Sequence, residues 1–280
     1  MKIKLTIWGS EMRTGLATLF FALGLATTTP GTTYAQTPLK PIRIIMIGDS
    51  TMTDKSGYGT GFCAQFKPEV TCINLSRGGR SSKSYRVEGL WDQAMTQVKD
   101  KKDFATTYVW IGFGHNDGSS KPERHTDIHA EFPLNMRQYG VDIQAAGAVP
   151  VYVTPLTQRW FKAGKLQPDL LPWSTAVKLV ARDKGFEVVD FYAVSQQAVQ
   201  AMGPIEANRM AGEPIPQNIL DTENSGTSIP AVFTDASQAT TPQHQGFDYT
   251  HLGAKGSAYF GKLAVDTWAA QDATIRPYVK

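Results

Sequence analysis

Short apolar runs alternate along the chain with longer segments in which apolar residues recur every three or four positions. The short runs are rich in β-branched residues and lack polar alternation, which is typical of strands buried on both faces of a sheet. Five such runs occur, at Ile42–Ile47, Cys72–Leu75, Thr106–Phe113, Val149–Thr154 and Phe186–Phe191. Helical periodicity is clearest at Pro133–Ala146, Thr175–Lys184, Ala193–Met202 and Leu252–Gln271. This alternation predicts a parallel sheet that is covered by helices on both faces.

The segment Gly203–Phe247 departs from this pattern. It is rich in proline, glycine, asparagine, serine and threonine, and it shows no sustained periodicity. A loop of this length inside a compact domain is usually functional or partly disordered. Because the segment ends immediately before Asp248, we expect it to wall the site that the following residues build.

The first 35 residues have the pattern of a secretory signal peptide. Basic residues precede the apolar stretch Leu16–Ala26, and the small residues Thr33 and Ala35 fit the −3 and −1 positions of a signal peptidase site. We therefore predict cleavage after Ala35 (Met12 is an alternative start), export to the periplasm or beyond the cell, and a catalytic domain over residues 36–280. A permanent membrane anchor is the weaker interpretation, since a span needs about 20 apolar residues.

Composition and charge exclude some classes of protein. Hydrophobic residues make up 41% of the 280 positions and charged residues 19%, as in ordinary soluble globular proteins. A net charge of +3 without a basic stripe does not indicate a nucleic-acid partner. We also expect no stable membrane insertion, and we expect a monomer.

The two cysteines, Cys63 and Cys72, lie close together in the chain. In an exported protein this spacing favours a disulfide, and the alternative is that both are small buried apolar residues. No zinc site is predicted, because further ligands at a suitable spacing are missing. His125 and His129 could share one face of a helix, but they too lack a third ligand, and so we predict no metal.

Polar residues that can carry acyl transfer follow the first predicted strand and precede the last predicted helix. Ser50 stands where the carboxyl end of a parallel strand places ligand-binding groups. A serine needs a base to become a nucleophile, and His251, oriented by Asp248 three residues earlier, can supply one. The alternative is that Asp49 and Ser50 only cap a helix, and that Asp248 caps another while His251 lies on the surface.

Acyl transfer also needs hydrogen-bond donors for the charge that develops on the carbonyl oxygen. Two glycine-rich segments, Asn74–Ser81 and Gly112–Asp117, lie at the ends of predicted strands. Their glycines allow a backbone N–H to approach a ligand closely, and the Asn116 side-chain amide is a further donor. Taken separately, each segment is better explained as a glycine-rich turn between a strand and a helix.

Together these fragments resemble the SGNH (GDSL) hydrolases, which carry a Ser, a Gly, an Asn and a His in four ordered blocks. The blocks here are Gly48–Ser50, Gly79–Ser81, Gly114–Asp117 and Asp248–His251. The resemblance implies a flavodoxin-like three-layer α/β/α sandwich with a central, mostly parallel five-stranded sheet. It implies Ser50 as the nucleophile, His251 as the general base, Asp248 as the residue that orients the base, and no cofactor.

The resemblance also implies an oxyanion hole. Its donors would be the backbone N–H groups of Ser50 and Gly79 and the amide of Asn116, with the adjacent Gly78 as an alternative to Gly79.

The flanks of three blocks are similar to those of one branch of the family, the rhamnogalacturonan acetylesterases, which remove acetyl groups from plant cell-wall polysaccharides. The similar stretches are Gly48–Met52, Gly79–Tyr85 and Gly114–Gly118. We therefore expect a serine acetylesterase whose partner is acetylated pectin or a related polysaccharide. The long segment before Asp248 departs from the family pattern, so substrate preference does not transfer directly.

Three residues are candidates for contact with a sugar. Trp160 follows the fourth predicted strand at the edge that carries the blocks, where an aromatic ring can stack on a sugar. Arg80 and His115 lie inside the Gly and Asn blocks. The alternative is a structural role for each, since aromatic residues near strands are mostly core and a histidine can make a structural hydrogen bond.

Two other functions remain compatible with these residues. One is a lysophospholipase or thioesterase of the same fold, which would contact an acyl chain rather than a sugar. The other is a non-catalytic carbohydrate-binding protein that keeps the four blocks. A standard α/β-hydrolase is excluded, because the chain has no G-x-S-x-G motif.

Overall fold

Seven strands are present in the computed structural model, which describes residues 38–100, 103–230 and 247–280. They are β1 (Ile42–Gly48), β2 (Val70–Asn74), β3 (Thr106–Gly112), β4 (Val149–Val153), β5 (Phe161–Lys162), β6 (Lys165–Leu166) and β7 (Glu187–Val189). Five of them form one sheet in the order β2-β1-β3-β4-β7, in which every neighbouring pair is parallel. β5 and β6 form a separate antiparallel hairpin, which the sequence did not predict. The predicted parallel sheet is thus confirmed, with strand ends displaced by a few residues.

Eight α-helices occur in the described ranges. They are α1 (Gly59–Cys63), α2 (Ser84–Val87), α3 (Leu90–Lys99), α4 (Glu131–Ala145), α5 (Leu171–Lys184), α6 (Phe191–Asn208), α7 (Gln217–Thr222) and α8 (Ala254–Gln271). Buried side chains of α1, α6 and α8 pack on one face of the sheet, and those of α2, α3, α4 and α5 pack on the other. The three-layer α/β/α arrangement is therefore confirmed.

The interior strand β1 is apolar at every position except Arg43, whose guanidinium donates to the Thr107 hydroxyl at 3.1 Å. All seven of its residues are buried. Successive side chains of a strand point to opposite faces, so Ile44 and Met46 join the cluster of α1, α6 and α8, whereas Ile45 and Ile47 join the cluster of α2 to α5. A polar residue at any of these positions would lie in one of two apolar layers.

The order of the strands creates a crevice at the carboxyl ends of β1 and β3. The chain leaves β1 toward β2 on one side and returns to β3 on the other, and loops diverge at such a switch point. Gly48 and Gly112 end these strands in register with each other. The Met52 side chain lies across both, and a Cβ on either glycine would collide with its sulfur. The close approach of the two strand ends therefore requires glycine at both positions.

The segment predicted as a long loop contains helical structure in its described part. α6 continues past the predicted end at Met202, although Gly203 breaks the helical geometry with a φ of +70°. The helix resumes at Pro204 because proline suits a first helical turn. α7 and a short 3₁₀ turn at Glu223–Ser225 follow. These pieces are too short to give a periodic signal. Residues 231–246, which include His244, lie outside the described residues.

Cys63, at the end of α1, and Cys72, in β2, form the predicted disulfide, which ties the helix to the edge strand. The predicted signal peptide, with its cleavage site after Ala35, lies outside the described residues. Among the helices that the structure describes, none is long and apolar enough to cross a membrane. The same residues contain no cluster of three or more His, Cys, Asp or Glu side chains that could hold a metal ion.

Candidate active site

The Ser and His blocks meet at the carboxyl edge of the sheet. Ser50 Oγ lies 2.6 Å from His251 Nε2, although 201 positions separate the two residues in the chain. On the other side of the ring, His251 Nδ1 lies 2.6 Å from Asp248 Oδ2. His251 and Asp248 are partly exposed, with 29% and 19% of their side-chain surfaces accessible. This arrangement places a hydroxyl, a base and an orienting carboxylate in one line that a substrate can reach.

The turn that carries Ser50, here named the serine turn (residues 48–53), is held by short-range bonds. The buried Asp49 carboxylate accepts hydrogen bonds from the Thr51 N–H at 2.9 Å and the Thr51 hydroxyl at 2.7 Å. The Thr53 hydroxyl and N–H both donate to the Ser50 carbonyl. Asp49 is thus the cap of a 3₁₀ turn, Ser50–Met52, on which the nucleophile sits.

The turn that carries the base, here named the histidine turn (residues 248–253), has its own local bonds. Asp248 Oδ1 accepts hydrogen bonds from the N–H groups of Thr250 at 2.7 Å and of His251 at 2.8 Å. Because Oδ1 serves the backbone, Oδ2 is left to accept from the imidazole Nδ1–H. The i, i+3 spacing seen in the sequence therefore has a physical basis, since one carboxylate shapes the turn and orients the ring.

A buried arginine supports the histidine turn from a distant part of the chain. Arg159 is fully buried, and its guanidinium donates to the backbone carbonyls of Asp248 at 2.8 Å, Thr250 at 3.2 Å and His251 at 2.9 Å. Glu213, from the segment before the turn, accepts a hydrogen bond from the Asp248 N–H at 2.6 Å. The sequence did not predict either support. The signal that could have found Arg159 is a charged residue just beyond a buried strand, at the edge that carries the four blocks.

The electrostatic environment prepares His251 to act as a base. The hydrogen bond to Asp248 raises the pKa of His251 above its ordinary value, although burial opposes the change. Burial alone would raise the pKa of Asp248, but the hydrogen bond and charge of His251, with the neighbouring N–H groups, hold that pKa well below its usual range. Asp248 is thus ionised when the protein is folded near neutral pH, and its carboxylate is placed to stabilise a protonated His251 ring.

Hydrogen-bond donors for an oxyanion lie beside Ser50. A Cβ on Gly78 would stand 3.7 Å from the Ser50 Cβ, and Gly79 adopts a left-handed φ of +75°. The N–H groups of these two glycines make no hydrogen bond to another described residue. One amide hydrogen of Asn116 is used in a 3.1 Å bond to the Arg80 carbonyl, and an amide carries a second. Gly78 thus lies beside Ser50, and its N–H, the N–H of Gly79 and one amide hydrogen of Asn116 have no partner among the described residues.

The Gly and Asn blocks are joined by a buried carboxylate that the sequence analysis gave no role. Asp117 accepts hydrogen bonds from the N–H and hydroxyl of Ser82 at 3.0 and 2.6 Å and from the Thr126 hydroxyl at 3.1 Å. Burial raises the pKa of Asp117 to about 7, despite these bonds. Asp117 therefore fixes the loop after β2 against the loop after β3.

The three predicted sugar contacts have different surroundings. Trp160 is half-buried beside the histidine turn, with its ring edge-on to Tyr249 at 5.0 Å. The Arg80 guanidinium already forms an ion pair with Glu88 at 2.7 Å. Burial lowers the pKa of His115, and its ring nitrogens make no regular hydrogen bond to the described residues. Of the three, Trp160 is the partly exposed aromatic ring, the kind of side chain that stacks on a sugar.

Two curated relatives are similar to this chain in sequence. The chain is 31% identical over 179 residues to the rhamnogalacturonan acetylesterase RhgT of Bacillus subtilis, which covers 61% of this chain and 74% of that protein. It is 26% identical over 209 residues to a rhamnogalacturonan acetylesterase of Emericella nidulans, which covers 67% of this chain and 81% of that protein. No family model matches the chain.

Solved structures with the same fold have lower sequence identity. A Bacillus subtilis protein of 18% identity superposes with a TM-score of 0.59 over 84% of this chain, and the match spans 58% of that longer chain. A protein of Parabacteroides merdae described as a GDSL-like lipase has 12% identity and a TM-score of 0.55, over 83% of this chain and 97% of that chain. The four blocks, the geometry of Ser50, His251 and Asp248, and the relatives lead to one conclusion. The chain belongs to the SGNH (GDSL) hydrolases, a family of carboxylic ester hydrolases, and within them to the group of the rhamnogalacturonan acetylesterases.

Proposed function

We propose that the protein is an exported acetylesterase that removes acetyl groups from a pectic polysaccharide of the rhamnogalacturonan type. The observation that carries the proposal is the contact of 2.6 Å between Ser50 Oγ and His251 Nε2, beside N–H groups that have no other partner among the described residues. The curated relatives described above are named for action on rhamnogalacturonan. The geometry supports the chemistry, and the relatives support the class of substrate.

The proposed reaction uses only side chains and backbone of this chain. Ser50 Oγ attacks the acetyl carbonyl carbon while its proton moves to His251 Nε2, and the carbonyl oxygen becomes an oxyanion next to Gly78 and Gly79. Collapse of the tetrahedral intermediate breaks the bond to the sugar oxygen, which leaves with the proton from His251. Water then gives a proton to His251 and attacks the carbonyl carbon of the acetyl-serine. Collapse of this second tetrahedral intermediate breaks the bond to Ser50 Oγ, which regains its proton from His251, and acetate is released.

Replacement of the nucleophile tests the mechanism. We expect Ser50→Ala to release acetate at least about 10³-fold more slowly than the wild type, because the covalent route is lost. Ser56→Ala is the matched control. Its hydroxyl contacts the Thr53 hydroxyl and the Ser50 carbonyl rather than His251, and so the variant should stay near wild-type activity. Retention of wild-type activity by Ser50→Ala would contradict the proposed mechanism.

A substrate panel tests the proposed substrate. We expect faster acetate release from acetylated rhamnogalacturonan than from acetylated xylan, and faster hydrolysis of p-nitrophenyl acetate than of long-chain p-nitrophenyl esters. A preference for long acyl chains would instead indicate a lysophospholipase or thioesterase. A chain that hydrolyses no ester, and whose Ser50 resists a fluorophosphonate probe, would be a carbohydrate-binding protein.

Export and a monomeric state are further parts of the proposal. Export is supported by the leader pattern in residues 1–35 and by the disulfide between Cys63 and Cys72, which suits an oxidising compartment. A monomer is supported because Ser50, His251 and the candidate oxyanion donors all come from one chain. N-terminal sequencing should find Gln36 as the first residue of the exported protein, and sedimentation should give the mass of one chain.

A further inference from the structure

An arginine outside the four blocks lies beside the oxyanion donors. The guanidinium of Arg124 stands over Gly79, so that a Cβ built there would be 3.2 Å from both of its terminal nitrogens. Gly78, the preceding residue, lies against the Ser50 side chain. Consecutive Cα atoms are about 3.8 Å apart. The guanidinium over Gly79 is therefore separated by about the length of one residue from Gly78, which lies against Ser50.

The charge of Arg124 is not neutralised by the residues that the structure describes. Its side chain makes no ion pair or hydrogen bond to any of them, and it is only partly exposed. The neighbouring basic residues differ, since Arg80 is paired with Glu88 and Lys83 lies 3.3 Å from Glu131. Arg124 is therefore a cation next to the active site that is available to an anion from outside the described chain.

The backbone that carries Arg124 is held in place. The N–H of Thr126 donates to the Asp117 carbonyl at 2.9 Å, and the N–H of Arg124 donates to the Lys121 carbonyl at 3.0 Å. The Lys83 ammonium contacts the His125 carbonyl at 3.4 Å. These bonds link the segment to the Gly and Asn blocks. A group that is positioned in advance loses less conformational freedom when it binds a ligand.

We propose that Arg124 binds the carboxylate of a uronic acid residue next to the acetyl ester that Ser50 attacks. The inference rests on the proposed function and adds the chemistry by which the site would recognise its sugar. A guanidinium matches a carboxylate with two parallel hydrogen bonds. A galacturonic acid that carries an acetyl group on its ring holds its carboxylate only a few bonds away. One sugar can therefore reach Ser50 and Arg124 together, whereas a neutral acetylated sugar leaves the arginine unpaired.

The test compares matched substrates whose carboxyl groups are either free and charged or methyl-esterified and neutral. Acetylated oligogalacturonides with free carboxylates and the same oligosaccharides with methyl-esterified carboxyls are assayed with the wild type, Arg124→Gln and Arg124→Lys. We expect Arg124→Gln to lower kcat/KM on the acidic substrate by about 10- to 100-fold, mainly through KM, with less than about twofold change on the methyl ester or on p-nitrophenyl acetate. Arg124→Lys should recover part of the loss. Added salt should reduce the wild-type preference for the acidic substrate.

Arg182→Gln is the control, because Arg182 is exposed in α5 and lies outside the active site described here. Arg182→Gln removes the same charge and should leave kcat/KM unchanged on both substrates. Equal losses by Arg124→Gln on the acidic substrate and on p-nitrophenyl acetate would overturn the proposal, because they would indicate a structural role near Gly79. No loss on either substrate would overturn it as well. A wild-type enzyme that hydrolyses p-nitrophenyl acetate and neutral sugar acetates, but no acetylated uronide, would instead contradict the proposed function itself.

Discussion

The serine turn and the histidine turn supply the two halves of one proton transfer, but they are built in different ways. In the serine turn, the bonds to Asp49 and Ser50 come from Thr51, Thr53 and Ser56, all within six residues of Ser50. Bonds from more distant residues reach only the flanking carbonyls, from Arg77 to Gly48 and from Asn74 to Met52. In the histidine turn, Arg159 and Glu213 contribute bonds from 35 to 92 positions away in the chain. The nucleophile is therefore positioned mainly by local bonds, whereas the backbone that carries the base depends on bonds from distant parts of the chain.

A backbone hydrogen bond also joins the histidine turn to the segment that follows the serine turn. The N–H of Leu252 donates to the Ser56 carbonyl at 2.9 Å. This bond sets the separation of the two turns close to the reacting atoms. An enzyme that needs a hydroxyl and an imidazole within hydrogen-bond reach thus depends on the accurate packing of α8 against α1, which follows the serine turn.

Exchange of the Asp248 carboxylate for an amide in the histidine turn should lower kcat more than any other change considered below. In Asp248→Asn the oxygen would continue to accept from the backbone N–H groups, so the NH₂ group would face His251 Nδ1. A donor at that position forces the tautomer in which Nε2 carries the proton and cannot accept the proton of Ser50. We expect kcat to fall by about 10³- to 10⁴-fold, with little change in folding. The measurement is steady-state hydrolysis of p-nitrophenyl acetate.

The pH profile gives a second measurement on the same variant. His251 must be neutral to act as a base, so wild-type kcat/KM should fall as the pH drops through its pKa, which lies above the ordinary value of 6.5. Because Asp248 is the main cause of the raised pKa, the residual activity of Asp248→Asn should have its acid limb at lower pH. If the acid limb of the pH profile stayed at the wild-type pH in Asp248→Asn, a group other than His251 would control it.

Loss of the buried Arg159 should have the next largest effect on kcat, and it should also lower stability. Arg159→Met leaves the carbonyls of Asp248, Thr250 and His251 without their donor, and we expect a loss of about 3–5 kcal/mol in unfolding free energy and at least about tenfold in kcat. The positive charge of Arg159 lowers the pKa of His251, so the acid limb should move to higher pH, opposite to its shift in Asp248→Asn.

Arg182→Met, which removes an exposed arginine from α5, is the control for general effects of the exchange. A folded Arg159→Met protein with wild-type kcat and an unmoved acid limb would show that Arg159 has no part in positioning the base.

This contrast explains which parts of the site could be predicted from the sequence. The strands were predictable because burial on both faces leaves a continuous apolar run, and Ser50 was predictable because its turn follows β1 directly. Asp248 and His251 were recognisable by their spacing and by their resemblance to a family block. Arg159 and Glu213 were not, since no local pattern marks a residue whose partner lies far along the chain. Arg124 was not predictable either, because no local pattern marks a side chain that lies over a glycine far along the chain. Arg80, chosen for its place in a block, is paired with Glu88.

Removal of the Glu213 carboxylate should have a moderate effect on stability and on kcat. Glu213→Ala leaves the Asp248 N–H without its acceptor, and Glu213 is only half-buried, so water can partly replace it. We expect a loss of about 1 kcal/mol in stability and a fall in kcat of about tenfold or less. Glu213→Gln keeps an acceptor oxygen at the same place and should remain close to the wild type. If both variants lost activity equally, the charge of Glu213 rather than its hydrogen bond would be responsible.

The smallest fall in kcat should come from Asp49→Asn, which makes the same carboxylate-to-amide exchange in the serine turn. Asp49 uses one oxygen, Oδ1, to accept from the Thr51 N–H and hydroxyl, and the carbonyl oxygen of an asparagine can accept both bonds. Only the negative charge is lost, and since that charge helps to raise the pKa of His251, the acid limb should move slightly to lower pH. We expect kcat for Asp49→Asn to fall less than about fivefold, which corresponds to about 1 kcal/mol. A loss as large as that of Asp248→Asn would mean that Asp49 takes part in the proton transfer, and the serine turn would no longer be a purely local support.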